Sequence, residues 1–247
     1  MGDAASSCAG PDTPAPATKI HLVGEWVYPL VEGGLWWPDR SVLVVSDLHL
    51  EKGSSFARRG QMLPPYDTGA TLAVVEAMCA RLAPETVISL GDSFHDRGAD
   101  ARLSDRDAAR IRLLTAAHKW VWVEGNHDPD PPAHLGGEAA HEWVIGPITF
   151  RHEPTGAVGE VAGHLHPAAK VRRRGRSVRR RSFVSDGDRL VMPALGAFTG
   201  GLNVHDAAFS PIFPDGLMAF AMGESRIFVF GMNQLVPDRP PSAQWRL

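Results

Sequence analysis

The sequence predicts an α/β fold in which two packed β-sheets are flanked by helices. Three observations predict it. Between residues 41 and 126, apolar and β-branched runs (SVLVVS, TVISL, WVWVE) alternate with amphipathic stretches, the pattern of a βαβαβ unit with a parallel sheet. From about 140 onward the helical period vanishes and short strand-like runs follow one another. An apolar content of 44% over 247 residues suffices for a substantial core, although length alone leaves one large domain or two small ones open.

The elements follow in order. Residues 1–18 are small and Pro-rich and read as a disordered tail. Residues 237–247 read as a second tail, leaving 19–236 as the folded domain. EWVYPL near residue 25 is a strand that can join either sheet. After SVLVVS, a helix at about 68–82 places Leu72, Val75, Cys79 and Leu82 on one face. After TVISL, a helix begins near Ser104 with Asp107 three residues on as a capping pair, and it buries Ala108, Ile111 and Leu114. The later strands are HEWVI, PITFRH, GEVAGH, the arginine-rich 170–184, RLVMPAL and RIFVFGM. No internal repeat is present.

A formal net charge of −3 with 21% charged residues means that any nucleic-acid contact comes from a local patch. Two cysteines, Cys8 and Cys79, give neither a disulfide framework nor zinc-thiolate spacing. With no basic, apolar leader and no stretch of eighteen apolar residues, a cytoplasmic protein without a membrane span is expected.

Five polar clusters each end an apolar run: Asp47-Leu48-His49, Gly91-Asp92, Gly125-Asn126-His127-Asp128, Arg151-His152-Glu153 and Gly163-His164-Leu165-His166. Five strands would thus deliver oxygen and imidazole ligands to one sheet edge, where α/β sheets bind ligands. Two nearby divalent cations need a bridging carboxylate, and Asp92 ends a central strand after a glycine. Asp47 and His49, two apart at an extended strand end, point to one side and can share a metal, and His164 and His166 have the same spacing. Asn126 and His152 complete the second ion. Imidazole and oxygen ligands without sulfur suit manganese, iron, zinc or magnesium without choosing among them; two divalent ions are expected, manganese the first candidate. The metals acidify a shared water, and the bridging hydroxide attacks phosphorus in line. His127 acts as general acid toward the leaving oxygen, and Asp128 orients it.

Each cluster alone has an ordinary explanation: Asp-x-His is common, and Gly-Asp at a strand end is usually a turn. Their joint occurrence in order is what points to a site. His152 is preferred over His134 and His141 because it directly follows PITF. His21, His118 and His205 read as structural or surface residues.

The set D-x-H, G-D, G-N-H-D, H and G-H-x-H, from about 41 to 166, resembles the calcineurin-like metallophosphoesterase superfamily. SDLHLEKGSSFARRG, LGDSFHDRG, EGNHD, RHEP, AGHLHP and PALGAFTGG are similar, more narrowly, to the ligase-associated DNA-damage-response metallophosphoesterases. The resemblance implies a four-layer αββα sandwich. It also implies one ion on Asp47, His49, Asp92 and His166, another on Asp92, Asn126, His152 and His164, and a catalytic His127. A functional association with an ATP-dependent DNA ligase and a helicase is implied as well. Many superfamily members read G-D-x-x-D, whereas here His95 stands at the last position.

The leading functional reading is a two-metal phosphodiesterase or endonuclease acting on DNA in repair. It is favoured by Lys170 and seven arginines within twelve residues, of which Arg172, Arg174, Arg179 and Arg181 would track a DNA backbone. The alternatives are a hydrolase of a small nucleotide-type phosphodiester or pyrophosphate, and a non-catalytic scaffold, which the filled ligand positions disfavour. A solvated hairpin that keeps a sheet edge soluble is the plain reading of the arginines.

Overall fold

The computed structural model describes residues 18–61, 66–128 and 132–238. Cys8 and most of both expected tails lie outside these residues.

The first sheet has seven strands in chain order: β1 (Ile20–Leu22), β2 (Glu25–Pro29), β3 (Leu35–Trp37), β4 (Val42–Ser46), β5 (Thr86–Leu90), β6 (Lys119–Val123) and β7 (Glu138–Ala140). Strands β1 to β4 form an antiparallel meander, and β4 to β7 are parallel. The EWVYPL strand therefore joins this sheet. The second sheet comprises β8 (Trp143–Ile145), β9 (Ile148–Arg151), β10 (Glu160–Ala162), β11 (Ala168–Arg173), β12 (Arg176–Ser185), β13 (Leu190–Val191), β14 (Met218–Met222) and β15 (Ile227–Gly231). Its order is β15-β14-β12-β13-β10-β9-β8, with β11 paired to β12 as a hairpin.

Strand β4 is apolar at consecutive positions because both its faces are buried. Val42 and Val44 face the second sheet, where they share a core with Ile88, Val121, Phe150, Val161, Phe183 and Phe220. Leu43 and Val45 face the helices α2 (Asp67–Leu82) and α3 (Asp105–Ala117), against Leu72, Val75, Met78, Ile111 and Leu114. Ser104 caps α3, its hydroxyl accepting from Asp107 N–H at 3.1 Å. Cys79 is buried in α2, and burial pushes its thiol up to about 11. The other outer face is covered differently. There Val184, Val191 and Ala219 pack under Val204, Phe209, Ile212 and Phe213, so an irregular segment with a 3-10 turn at Ala207–Phe209 takes the place of a regular α-helical layer.

Helices α2 and α3 are tied by Arg110, which donates to both oxygens of Glu76 at 2.7 Å and to Gly69 O at 3.2 Å. That hydrogen bond lowers the Glu76 pKa. A depressed carboxyl contributes stability above its unfolded pKa and loses it as pH falls through the folded value. Because the pair is part-exposed, Arg110→Met should cost about 0.5–1 kcal/mol in a urea melt at pH 7, with the deficit shrinking at acid pH.

Candidate metal centre

The five polar clusters meet, though not at one sheet edge as expected. Asp47, Asp92 and Asn126 follow the parallel ends of β4, β5 and β6 in the first sheet. His152 and His164 follow the parallel ends of β9 and β10 in the second. The site lies where the two edges face each other. The first-sheet loops are bound together, His49 N–H donating to Asp92 O and Leu50 N–H to Ser93 O, both at 2.9 Å.

Two groups of side chains bring ligand atoms within 4.8 Å of one another: Asp47, His49 and His166, and Asp92, His152 and His164. The two Gly-His-x-His imidazoles therefore go to different groups, contrary to the spacing argument. Asp47, His49, Asp92, His164 and His166 have φ of +51°, +43°, +44°, +66° and +45°. The i, i+2 rule belongs to extended backbone, and this backbone is left-handed at these five residues. Such conformations are uncommon outside glycine and concentrate at functional sites.

Local hydrogen bonds aim each ligand. Asp47 Oδ2 accepts from Ser46 Oγ at 2.5 Å and from His164 N–H at 3.1 Å, which leaves Oδ1 facing His166 Nε2 at 3.0 Å. His152 Nδ1 lies 3.1 Å from Leu90 O. A carbonyl takes the proton on Nδ1, so Nε2, facing Asp92 Oδ1 at 3.5 Å and His164 Nδ1 at 3.2 Å, is the nitrogen that would give up its proton to bind a cation. Asp92 stands between the groups, its Oδ2 being 3.9 Å from His49 Nε2. Asn126 Nδ2 donates to Glu153 Oε1 at 2.5 Å, which fixes the amide so that its oxygen is available to a cation. Beside it a cavity of about 360 Å³ is lined by Asn126, Arg151, His152 and Glu153.

Charge in the site is unbalanced without cations. Burial pushes His49 down to about 3. Burial would raise Asp92, but the hydrogen bond and charge of His152 and the His127 N–H hold it below the usual carboxylate range. Burial would lower His152, yet Asp92 and Asp47 carry it up to about 9. Asp47 Oδ1, His49 Nδ1 and His166 Nε2 are buried with no hydrogen-bond partner among the described residues, an arrangement that costs stability. Divalent cations on oxygen and imidazole satisfy these atoms, so the residues fit the metals expected.

His127 lies beside these groups, its side chain 47% exposed. Its N–H donates to Asp92 Oδ1 at 2.9 Å, its Nδ1 lies 2.8 Å from His95 O, and its Nε2 is 3.8 Å from Asp92 Oδ2. The contact with His95 is made by backbone, so a histidine in place of the common aspartate leaves it intact. Asp128 is not on the His127 ring. Its Oδ2 accepts from Phe94 N–H at 3.0 Å, bracing the Asp92 loop, and burial pushes its pKa up to about 7. His141 and His134 are exposed and pair with Glu124 and Asp100, while His118 Nδ1 meets Pro84 O.

The four arginines expected to act together are separated by the structure. Arg179 meets Asp238 and donates to Gly201 O, and Arg181 donates to Ala194 O and Leu195 O. Both fasten the hairpin to the loop beside the site. Arg172 and Arg174 are exposed. Signals missed in the sequence were Ser46, Glu153 and the carbonyls of Leu90 and His95. Only Glu153, inside a quoted cluster, had a side-chain signal pointing to the site.

A family model for calcineurin-like phosphoesterases matches residues 40–195, more than half of the chain. The chain is a calcineurin-like phosphoesterase. This phosphoesterase is 32% identical to the solved Pseudomonas putida nuclease MPE, over 86% of this chain and 100% of that one, with a TM-score of 0.67. A solved E. coli phosphoesterase, Yfce, is 16% identical over 78% of this chain and 99% of that one, with a TM-score of 0.40, too loose a likeness to carry weight. No curated protein matches the chain. Family and ligand groups together make it a metal-dependent phosphoesterase with two candidate metal sites. Among the described residues no helix is long and apolar enough to cross a membrane.

Gly125 tests the geometry without removing a ligand. A Cβ there would collide with the Asp92 backbone nitrogen and lie 2.5 Å from Asp92 Oδ1 and 2.6 Å from Asp128 Oδ1, so the Asp92 loop would have to move. Gly125→Ala should therefore lower bound metal measured by elemental analysis, while circular dichroism stays near that of the parent protein.

Proposed function

We propose that this enzyme is a phosphodiesterase acting on DNA, a nuclease with a place in DNA repair. Asp47, His49, Asp92 and His166 hold one divalent cation, and Asp92, Asn126, His152 and His164 hold the other, with manganese the preferred metal. The observation that carries the reading is the meeting of two ligand groups at Asp92 beside the His127 ring. Two divalent cations in these positions supply an acidified water as nucleophile and neutralise the phosphoryl oxygens.

The remaining chemistry belongs to the protein. With Nδ1 pinned at the His95 carbonyl, Nε2 is the His127 atom that gains and loses a proton, and it hands that proton to the leaving oxygen. Asp128 acts as a positioning residue for the Asp92 loop. DNA as the substrate is supported by the nuclease relative, matched over its whole length, and by the basic hairpin. Arg172 and Arg174 are its phosphate contacts; Arg179 and Arg181 hold the hairpin in place. The association with an ATP-dependent DNA ligase and a helicase rests on motif resemblance alone, and the cytoplasmic setting on composition and cysteine usage alone. The domain of this reading spans residues 19–236.

The test is hydrolysis of an aryl phosphomonoester, an aryl phosphodiester and labelled DNA side by side with manganese, iron, zinc and magnesium. Cleavage of diester and DNA, best with manganese, is expected. Turnover of diester with DNA neither cut nor inhibitory would replace the DNA reading with a small nucleotide-type substrate. His127→Asn should keep its metal while kcat falls by about 10²–10⁴-fold with a poor leaving group and less with nitrophenolate. Equal losses with both would contradict the proton-donor role.

A further inference from the structure

The segment 193–201, PALGAFTGG, contributes nothing to either ligand group, yet it is clamped to the backbone that carries the first. Leu195 N–H donates to Ser46 O at 2.9 Å and Gly196 N–H to Asp47 O at 3.1 Å. A Cβ on Gly196 would lie 2.8 Å from the carbonyl carbon of Leu48, and one on Gly201 would collide with His166 O. Arg179 holds Gly201 O at 2.6 Å, Ala197 N–H reaches Thr71 Oγ1 at 3.2 Å, and Thr199 Oγ1 closes the turn on Gly196 O at 2.7 Å. The loop thus bridges the backbone segments that carry Asp47 and His166 of the first ligand group.

At its apex Phe198 is 48% exposed and has φ +59°. A left-handed backbone at a bulky residue is a strained conformation, and an exposed ring recovers little from burial. Glycine would relieve the strain and a polar residue the exposure, so folding and solubility do not account for phenylalanine. The exposed rings of Trp26 and Phe228 carry Lys19 and Arg226 over their faces. Phe198 has no such cover among the described residues.

We propose that Phe198 is a stacking surface for the nucleobase next to the phosphodiester at the metal centre, a specificity-determining residue of this enzyme. The inference rests on the reading above that the substrate carries nucleotides. Cations and arginines grip a phosphodiester without sensing its bases, whereas an aromatic face binds any base. Phe198 would therefore favour nucleoside-bearing diesters over simple ones with little preference among bases.

The test compares thymidine 5′-(4-nitrophenyl phosphate) with methyl 4-nitrophenyl phosphate, which share a leaving group and differ by the nucleoside. Phe198→Gly should melt a few degrees higher, its strain relieved. It should also lower the nucleoside-to-methyl ratio of kcat/KM by about tenfold, mainly through KM. Phe198→Trp should keep the ratio at or above that of the parent enzyme. An unchanged ratio in Phe198→Gly, or an equal loss on both esters, would overturn the stacking role. An oligothymidylate arm separates the two readings: a Phe198-dependent ester ratio in an enzyme that leaves the oligonucleotide intact would keep this inference and reject DNA as substrate.

Discussion

A buried carboxylate between two sets of imidazoles is the constraint on which this molecule is built. Asp92 is 3% exposed, faces His49 on one side and His152 on the other, and accepts the His127 N–H. A carboxylate desolvated to this degree is costly unless charge surrounds it. Holding it there requires the end of a central strand, packed on both faces so that it cannot shift. The two-sheet architecture supplies that strand in β5. The parallel pair β9 and β10 then brings His152 and His164 in from across the sandwich, which no single sheet edge could do.

Around Asp92 the backbone does much of the aiming. Carbonyls of Leu90 and His95 fix the tautomers of His152 and His127, and left-handed residues turn the ligands inward. Strain of this kind persists only where neighbouring structure fixes it, and here the Asp47 and Asp92 loops are cross-linked by main-chain hydrogen bonds. The 193–201 loop and the β11–β12 hairpin extend the same scheme outward. Arg179 and Arg181 bind that loop, and the loop binds the Asp47 and His166 segments. Surface charge, loop and metal ligands form one connected body.

Much of this was legible from residue types and periods. The two long helices declared themselves through a 3.6-residue apolar spacing and the Ser104 cap, and β4, β5 and β6 through β-branched runs. Helix α1 (Lys52–Arg58) did not, because KGSSFAR is short and polar and has no capping side chain. Strands β7 and β14 were hidden because EAA and MAFAM lack β-branched residues. Their conformation comes from pairing with β6 and β12, a tertiary influence that propensity does not carry. In the site, ligand identity follows from side-chain chemistry and could be read directly. The division of His164 and His166 between two groups depends on local φ, and the orientation of His127 depends on a carbonyl that every residue possesses, so neither was readable from spacing.

The central claim is that two cations sit on either side of Asp92. The direct measurement is anomalous scattering from crystals of the manganese-loaded enzyme, paired with the same experiment on His166→Ala and His164→Ala. Two ions should appear in the parent protein, one in each ligand group, and each variant should lose the ion of its own group. A single ion, or two ions placed away from Asp92, would contradict the account.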